Sequence, residues 1–146
     1  MRYRAVIFDL DGTLVDSLSD LAASGNELLA EYKETPRSVE EYRYLVGNGS
    51  RKLVERLLPG TKEAEIDEAL GKYKEIYARR LLRQTKPYPG IPALLEALAA
   101  RHIPMAVCTN KHTSAAAEVL TQLFAPGTFA AYVGDRPGVP RKPDPA

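Results

Sequence analysis

A doubly wound α/β core with a parallel sheet and a helical insert after its first strand is the fold class that three features of the sequence predict. Short, near-continuous apolar runs occur at Arg4–Phe8, Pro104–Thr109 and Phe129–Val133, the pattern of strands covered on both faces. Amphipathic helical patterns lie before and after the second run, and helix, strand, helix, strand in that order calls for right-handed crossovers. Residues 15 to 86, by contrast, carry helical patterns only.

The first run carries the β-formers Val6, Ile7 and Phe8 and stops at Asp9. In the insert, Ser38-Val39-Glu40-Glu41 reads as a capping box. Thr61 is placed to cap a longer helix with Ile66, Ala69, Leu70, Tyr73 and Tyr77 on one face. Arg79, Arg80 and Arg83 near its end suit the helix dipole, and Thr35-Pro36, Gly47-Asn48-Gly49 and Pro59-Gly60 punctuate the segment. After the insert, a helix from Ile91 to Arg101 takes Pro92 in its first turn. A second, with Thr113 as N-cap, presents Ala116, Ala117, Leu120, Leu123 and Phe124 on one face. The expected domains are residues 1–14 with 87–146, and residues 15–86. Pro140–Ala146 reads as the start of a further helix. Three strands make a thin sheet, so the core is expected to be incomplete at its carboxyl end. That would leave a sheet edge through which copies could associate.

The 146 residues carry 20 basic and 19 acidic side chains, a net charge of +1, and 45% are hydrophobic. That is the composition of a globular domain. The charge balance and the lack of a basic patch argue against nucleic acid as a partner. No apolar stretch approaches the ~18 residues that span a bilayer, and the first apolar run is too short for a signal peptide. One cysteine, Cys108, fits a reducing compartment. The expected location is cytoplasmic, with no membrane partner.

The chemistry gathers at Ala5-Val6-Ile7-Phe8-Asp9-Leu10-Asp11-Gly12-Thr13-Leu14. Adjacent acids at the end of a buried strand repel each other and resist desolvation. Side-chain alternation sends Asp9 and Asp11 to one side and Leu10 to the other. In open parallel sheets, ligands bind outside the carboxyl ends of the strands, and two carboxylates there make a hard-oxygen site suited to Mg²⁺. The alternative, a pair of solvated turn residues, fits this apolar setting poorly. Cys108 near His112 invites a cysteine-nucleophile reading, but no third orienting group accompanies them. Arg51 and Lys52 read as a solvated helix start, with contact to a substrate carboxylate as the alternative.

The stretch Asp9–Ser17, DLDGTLVDS, resembles the D-x-D-G-T-[LV] signature of the haloacid dehalogenase superfamily. Val107-Cys108-Thr109-Asn110 is similar to its second motif and Lys142-Pro143-Asp144-Pro145 to its third, in the family's order. The insert is similar to the family's small helical cap, and Pro87-Tyr88-Pro89-Gly90 resembles the phosphoglycolate phosphatase branch. The resemblance implies a Rossmann-like core and a Mg²⁺-dependent phosphatase acting on a small phosphomonoester of phosphoglycolate type. Asp9 would be the nucleophile that forms an aspartyl-phosphate, and Asp11 the general acid and base. Thr109, Asn110 and Lys142 would bind phosphate, and Asp9 with the backbone of Asp11 would hold the metal. Gly47, Asn48 and Gly49 would form a loop that influences substrate choice.

The family's fourth motif, G-D-x-x-x-D, is not matched. Gly134-Asp135 precedes Lys142, and Val139 stands where the second acid belongs. A cation held by Asp9 and the backbone of Asp11 alone is expected to bind weakly, implying weak or no turnover. The alternative is a non-catalytic phosphate-binding or interaction protein, or an inactive fragment of such a phosphatase.

Overall fold

A computed structural model describes residues 3–145; Met1, Arg2 and Ala146 lie outside it. In chain order the elements are β1 (Val6–Phe8), β2 (Val15–Asp16), α1 (Leu18–Glu31), α2 (Val39–Leu45), α3 (Ser50–Leu57), α4 (Glu63–Arg80), β3 (Lys86–Pro87), α5 (Ile91–Ala100), β4 (Met105–His112), α6 (Thr113–Leu123) and β5 (Ala131–Asp135). They fall into two units, one ending at Asp16 and resuming at Lys86, the other Ser17–Thr85.

In the first unit, β1, β4 and β5 form a parallel sheet in the order β1-β4-β5. Val6 pairs with Met105 and Phe8 with Val107, while Ala106 pairs with Ala131 and Cys108 with Val133. The middle strand, β4, buries alternate residues: Met105, Val107, Thr109 and Lys111. β2 and β3 pair antiparallel, Val15 with Pro87 and Asp16 with Lys86. Residues at both margins of the expected all-helical segment are thus extended.

Several boundaries differ from expectation. The middle strand continues past Thr109 to His112, because β5 pairs with it as far as Asp135, across a register shift. His112, rather than Thr113, caps α6, its Nδ1 accepting the Ser114 N–H. Thr113 instead donates its hydroxyl to the Asp135 carbonyl, 3.0 Å away. The third strand begins two residues late because Phe129 is used in packing. It stands edge-on to Phe8 and Phe124, with centroids 6.5 and 5.4 Å away. Residues 140–145 form no helix but a turn closed by the Asp144 N–H donating to Arg141.

The second unit is helical. Both arms of the Ser38–Glu41 capping box are formed. α4 buries Ile66, Ala69, Tyr73, Ile76 and Tyr77, while Leu70 is half-buried. Its N-cap is Lys62 without a side-chain bond, not Thr61; Glu63 and Glu65 meet the helix dipole instead. On α1, Asp20 is 1% exposed. Its Oδ2 accepts from the Gln84 N–H, the Thr85 N–H and the Thr85 hydroxyl at 2.9, 2.8 and 2.7 Å. One buried carboxylate thereby ties the first turn of the unit to its last residues. Gly25 lies beneath Tyr42, where a Cβ would fall 2.6 Å from Cε1 and 2.8 Å from Cζ. Burial pushes the Tyr42 phenol well above its ordinary value, and its hydroxyl donates to Asn26. No helix among the described residues is long and apolar enough to cross a membrane.

Candidate active site

The turn after β1 explains the doublet's geometry. Leu10 is wholly buried, and its carbonyl accepts from the Thr13, Leu14 and Val15 N–H groups at 3.2, 3.0 and 3.2 Å. Gly12 adopts φ 77°, the left-handed region where a side chain is strained, and its N–H donates to the Val15 carbonyl at 2.9 Å. With Leu10 pinned inward, the acids on either side keep contact with solvent. The side chain of Asp9 is 47% exposed and that of Asp11 26%.

Each acid meets its own lysine. Asp9 Oδ1 accepts from the Leu10 N–H at 2.8 Å and pairs with Lys142 Nζ at 3.1 Å. Its Oδ2 takes no hydrogen bond among the described residues. Lys142 Nζ also donates to the Cys108 carbonyl at 2.8 Å. Asp11 is held by Lys111 Nζ, 2.9 Å from one oxygen and 3.1 Å from the other. Two lysines from different parts of the chain thus offset the repulsion of the doublet, with formal charges cancelling before any ligand arrives.

The remaining expected residues connect to these pairs. Thr109 Oγ1 accepts the Lys111 N–H at 3.0 Å, which leaves the hydroxyl hydrogen to point at another acceptor. Asn110 works through its side chain: Oδ1 accepts the Lys142 N–H at 2.9 Å, and Nδ2 donates to the Lys142 carbonyl at 3.3 Å. Gly134-Asp135 also has a place. Asp135 pairs with Arg141 through both oxygens at 2.9 Å, fixing the residue before Lys142. At Gly134 a Cβ would lie 2.8 Å from the Lys111 carbonyl oxygen and from Thr113 Cα, so only glycine lets β5 approach the end of β4 this closely. His112 is engaged in capping, and Cys108 is half-buried on β4.

Gly47, Asn48 and Gly49 belong to the helical unit, between α2 and α3, with both glycines at positive φ. Asn48 Oδ1 accepts from Arg56 at 2.9 Å. Arg51 is ion-paired with Glu55, Glu63 and Asp67, and Lys52 with Glu55, which agrees with the helix-start reading.

Lys111, Arg141 and Asp135 were not expected at the site. The signal for Lys111 was its parity: two residues after Thr109 on one strand, it shares that residue's face. The apolar run ends at Thr109, so the run alone does not show that the strand reaches Lys111.

For a divalent cation, the described residues offer no cluster of three or more His, Cys, Asp or Glu, and both Asp11 oxygens are engaged by Lys111. The Asp9 carboxylate is left, and an oxygen donor of that kind suits a hard cation that keeps several waters.

A parallel sheet with an insert after its first strand, and an acid doublet where that strand ends, defines a class of α/β protein whose site lies at the carboxyl ends of strands. The family model described as haloacid dehalogenase-like hydrolase matches residues 6–146, and the chain belongs to that family. It is 38% identical over 149 residues to phosphoglycolate phosphatase 1 of Pseudomonas aeruginosa, covering 98% of this chain and 54% of the relative. It is 38% identical to the phosphoglycolate phosphatase of Neisseria meningitidis, covering 97% and 63%. The chain thus spans little more than half to under two thirds of these relatives' length. Among solved structures, a predicted phosphoglycolate phosphatase from Haemophilus somnus superposes with a TM-score of 0.90 at 30% identity, covering 98% of this chain and 67% of that one.

Proposed function

We propose that this chain provides the nucleophile, acid–base and phosphate-binding groups of a Mg²⁺-dependent phosphatase for a small phosphomonoester, phosphoglycolate foremost. The observation that carries this reading is the Asp9–Lys142 pair. The first acid of the doublet is anchored through one oxygen by a cation from 133 positions later in sequence, and its other oxygen stays open. The relatives' names support the choice of substrate.

In the proposed reaction, an Asp9 oxygen attacks phosphorus in line and the bond to the ester oxygen breaks, leaving an aspartyl-phosphate. Asp11 gives a proton to the departing alkoxide, then takes one from the water that attacks the same phosphorus and releases phosphate. Thr109 donates its hydroxyl hydrogen to a phosphoryl oxygen, and Lys142 sets a fixed positive charge against the spreading negative charge. Asp9 and the Asp11 main-chain carbonyl would hold Mg²⁺, which when bound offsets the repulsion between anionic nucleophile and anionic substrate. Gly47, Asn48 and Gly49 would form a loop that influences substrate choice.

The test is hydrolysis of p-nitrophenyl phosphate and 2-phosphoglycolate with and without added Mg²⁺, comparing the protein with Asp9→Asn. Activity that needs the cation and falls on the order of 10⁴-fold in the variant, with the melting transition unchanged, supports the assignment. Equal activity in the variant removes Asp9 as nucleophile. Phosphate binding without hydrolysis in the unaltered protein would favour the non-catalytic reading.

A further inference from the structure

Lys111 is a lysine where lysines are rarely found. Its side chain is 4% exposed on the middle strand of the sheet, and lysine is almost never buried without a partner. A fold seeking only stability gains little from such a charge, because apolar residues of similar volume serve as well or better. Its partner is not a buried structural acid but the partly exposed second acid of the doublet, gripped through both oxygens.

Two further contacts fix where Lys111 sits. Its N–H donates to Thr109 Oγ1, and its carbonyl lies so close to Gly134 that no side chain fits there. The backbone is therefore held from both sides while the ammonium reaches the acid. An ammonium held close to both oxygens fixes where the carboxyl group sits and limits the rotamers open to the Asp11 side chain.

We propose that Lys111 is a positioning residue for proton transfer: it holds the Asp11 carboxyl group where it meets the leaving oxygen, through both oxygens as the carboxylate and through the unprotonated oxygen once Asp11 carries the proton. This rests on the phosphatase reading above and adds to it a residue outside the motifs matched by sequence. Lys111 acts through Asp11 and touches no reacting atom.

Leaving-group dependence separates this role from a merely structural one. An alkyl phosphate departs as a strongly basic alkoxide that needs a proton from Asp11, whereas p-nitrophenolate departs well without one. For Lys111→Met, kcat is expected to fall on the order of 10- to 100-fold on an alkyl ester such as 2-phosphoglycolate and less than about 3-fold on p-nitrophenyl phosphate, since well-placed general acids contribute on this scale. KM should be little changed on both esters. Lys111→Arg, which keeps the charge and a two-pronged grip, should recover part of the alkyl-ester rate, and circular dichroism and melting of both variants report whether they fold. Equal losses on the two esters, or a loss confined to KM, overturn the proposal. If Lys111→Met does not fold, Lys111→Arg decides alone: an alkyl-selective loss in kcat supports the positioning role, and an unselective loss or none overturns it. Asp11→Asn is the control. If it shows no preference for the alkyl ester, the acid–base reading itself has failed; if it does and the Lys111 variants do not, only the role of Lys111 has.

Discussion

The two units spend their charged side chains differently. In the helical unit most ion pairs are local and solvent-facing, such as Arg43 with Glu40, Lys72 with Glu68 and Lys52 with Glu55. Each spans a single helical turn and lies in water, which screens it, so each contributes little to stability. In the α/β unit the pairs Asp9–Lys142, Asp11–Lys111 and Asp135–Arg141 join separate segments, and the cations that meet the doublet come from far along the chain. Local pairs support elements that their own sequence already favours. The distant pairs gather charge at one place, and the acids they hold repel each other. The helical unit does contain one buried carboxylate, Asp20, but its partners are main-chain N–H groups and a threonine hydroxyl, which is a structural use of the same chemistry.

If that contrast is right, removing one carboxylate in each unit should produce opposite phenotypes. The largest effect is expected for Asp9→Asn: an activity loss on the order of 10⁴-fold, about 5.5 kcal/mol of barrier. Denaturant unfolding should move by less than about 1 kcal/mol, because the pair is half-exposed. Asp20→Ala should reverse this. It strands two N–H groups and a hydroxyl in the interior, and the expected loss is about 3 kcal/mol of stability, read from the denaturation midpoint. A stability change below about 1 kcal/mol would show that Asp20 does not anchor the helical unit.

Gly25→Ala comes next, at roughly 1–3 kcal/mol, because the new methyl group must displace the fully buried Tyr42 ring. The double variant Gly25→Ala, Tyr42→Phe sharpens the point. Phenylalanine removes the hydroxyl oxygen, the atom nearest the new methyl, but leaves Cε1 and Cζ at 2.6 and 2.8 Å, so only part of the loss should be recovered.

The smallest effect is expected for Glu27→Gln. The Arg80 guanidinium, with that of Arg79, holds the Glu27 carboxyl below its ordinary value of 4.5. A carboxylate whose pKa is lowered by folding contributes stability above its unfolded value and loses it as the pH falls through the lowered folded value. The variant should therefore be less stable by under about 1 kcal/mol at pH 7. The gap should close as the pH drops below 4.5 and through the lowered value; a gap that persists in strong acid would mean packing, not charge, is responsible.

Much of the local architecture was legible in the chain itself. Near-continuous apolar runs and β-formers marked Val6–Phe8 and the run from Met105, although the cover expected on both faces is missing at β1, where Ile7 is 71% exposed. Hydrophobic spacing marked α4, and the Ser38–Glu41 box formed as its chemistry requires. Such signals are short-ranged, so they are readable wherever neighbours in sequence are also neighbours in space. Asp9 and Asp11 were legible for the same reason: two acids directly after an apolar strand conflict with local stability, and the conflict itself is the signal.

What the sequence alone determined about this protein was therefore the three strands of its parallel sheet, the helical character of its insert and the acid doublet. The tertiary structure decided which cations meet those acids. Neither the Lys142 contact to Asp9, the Lys111 grip on Asp11, nor the Arg141 link to Asp135 could be read from spacing. Each depends on the parallel pairing of β4 with β1 and β5, and on where β4 ends. Extending that strand by three residues beyond Thr109 turned an apparent loop lysine into a buried one. Hydrogen bonding to a neighbouring strand sets such an endpoint, and that partner is supplied by a segment some twenty residues away.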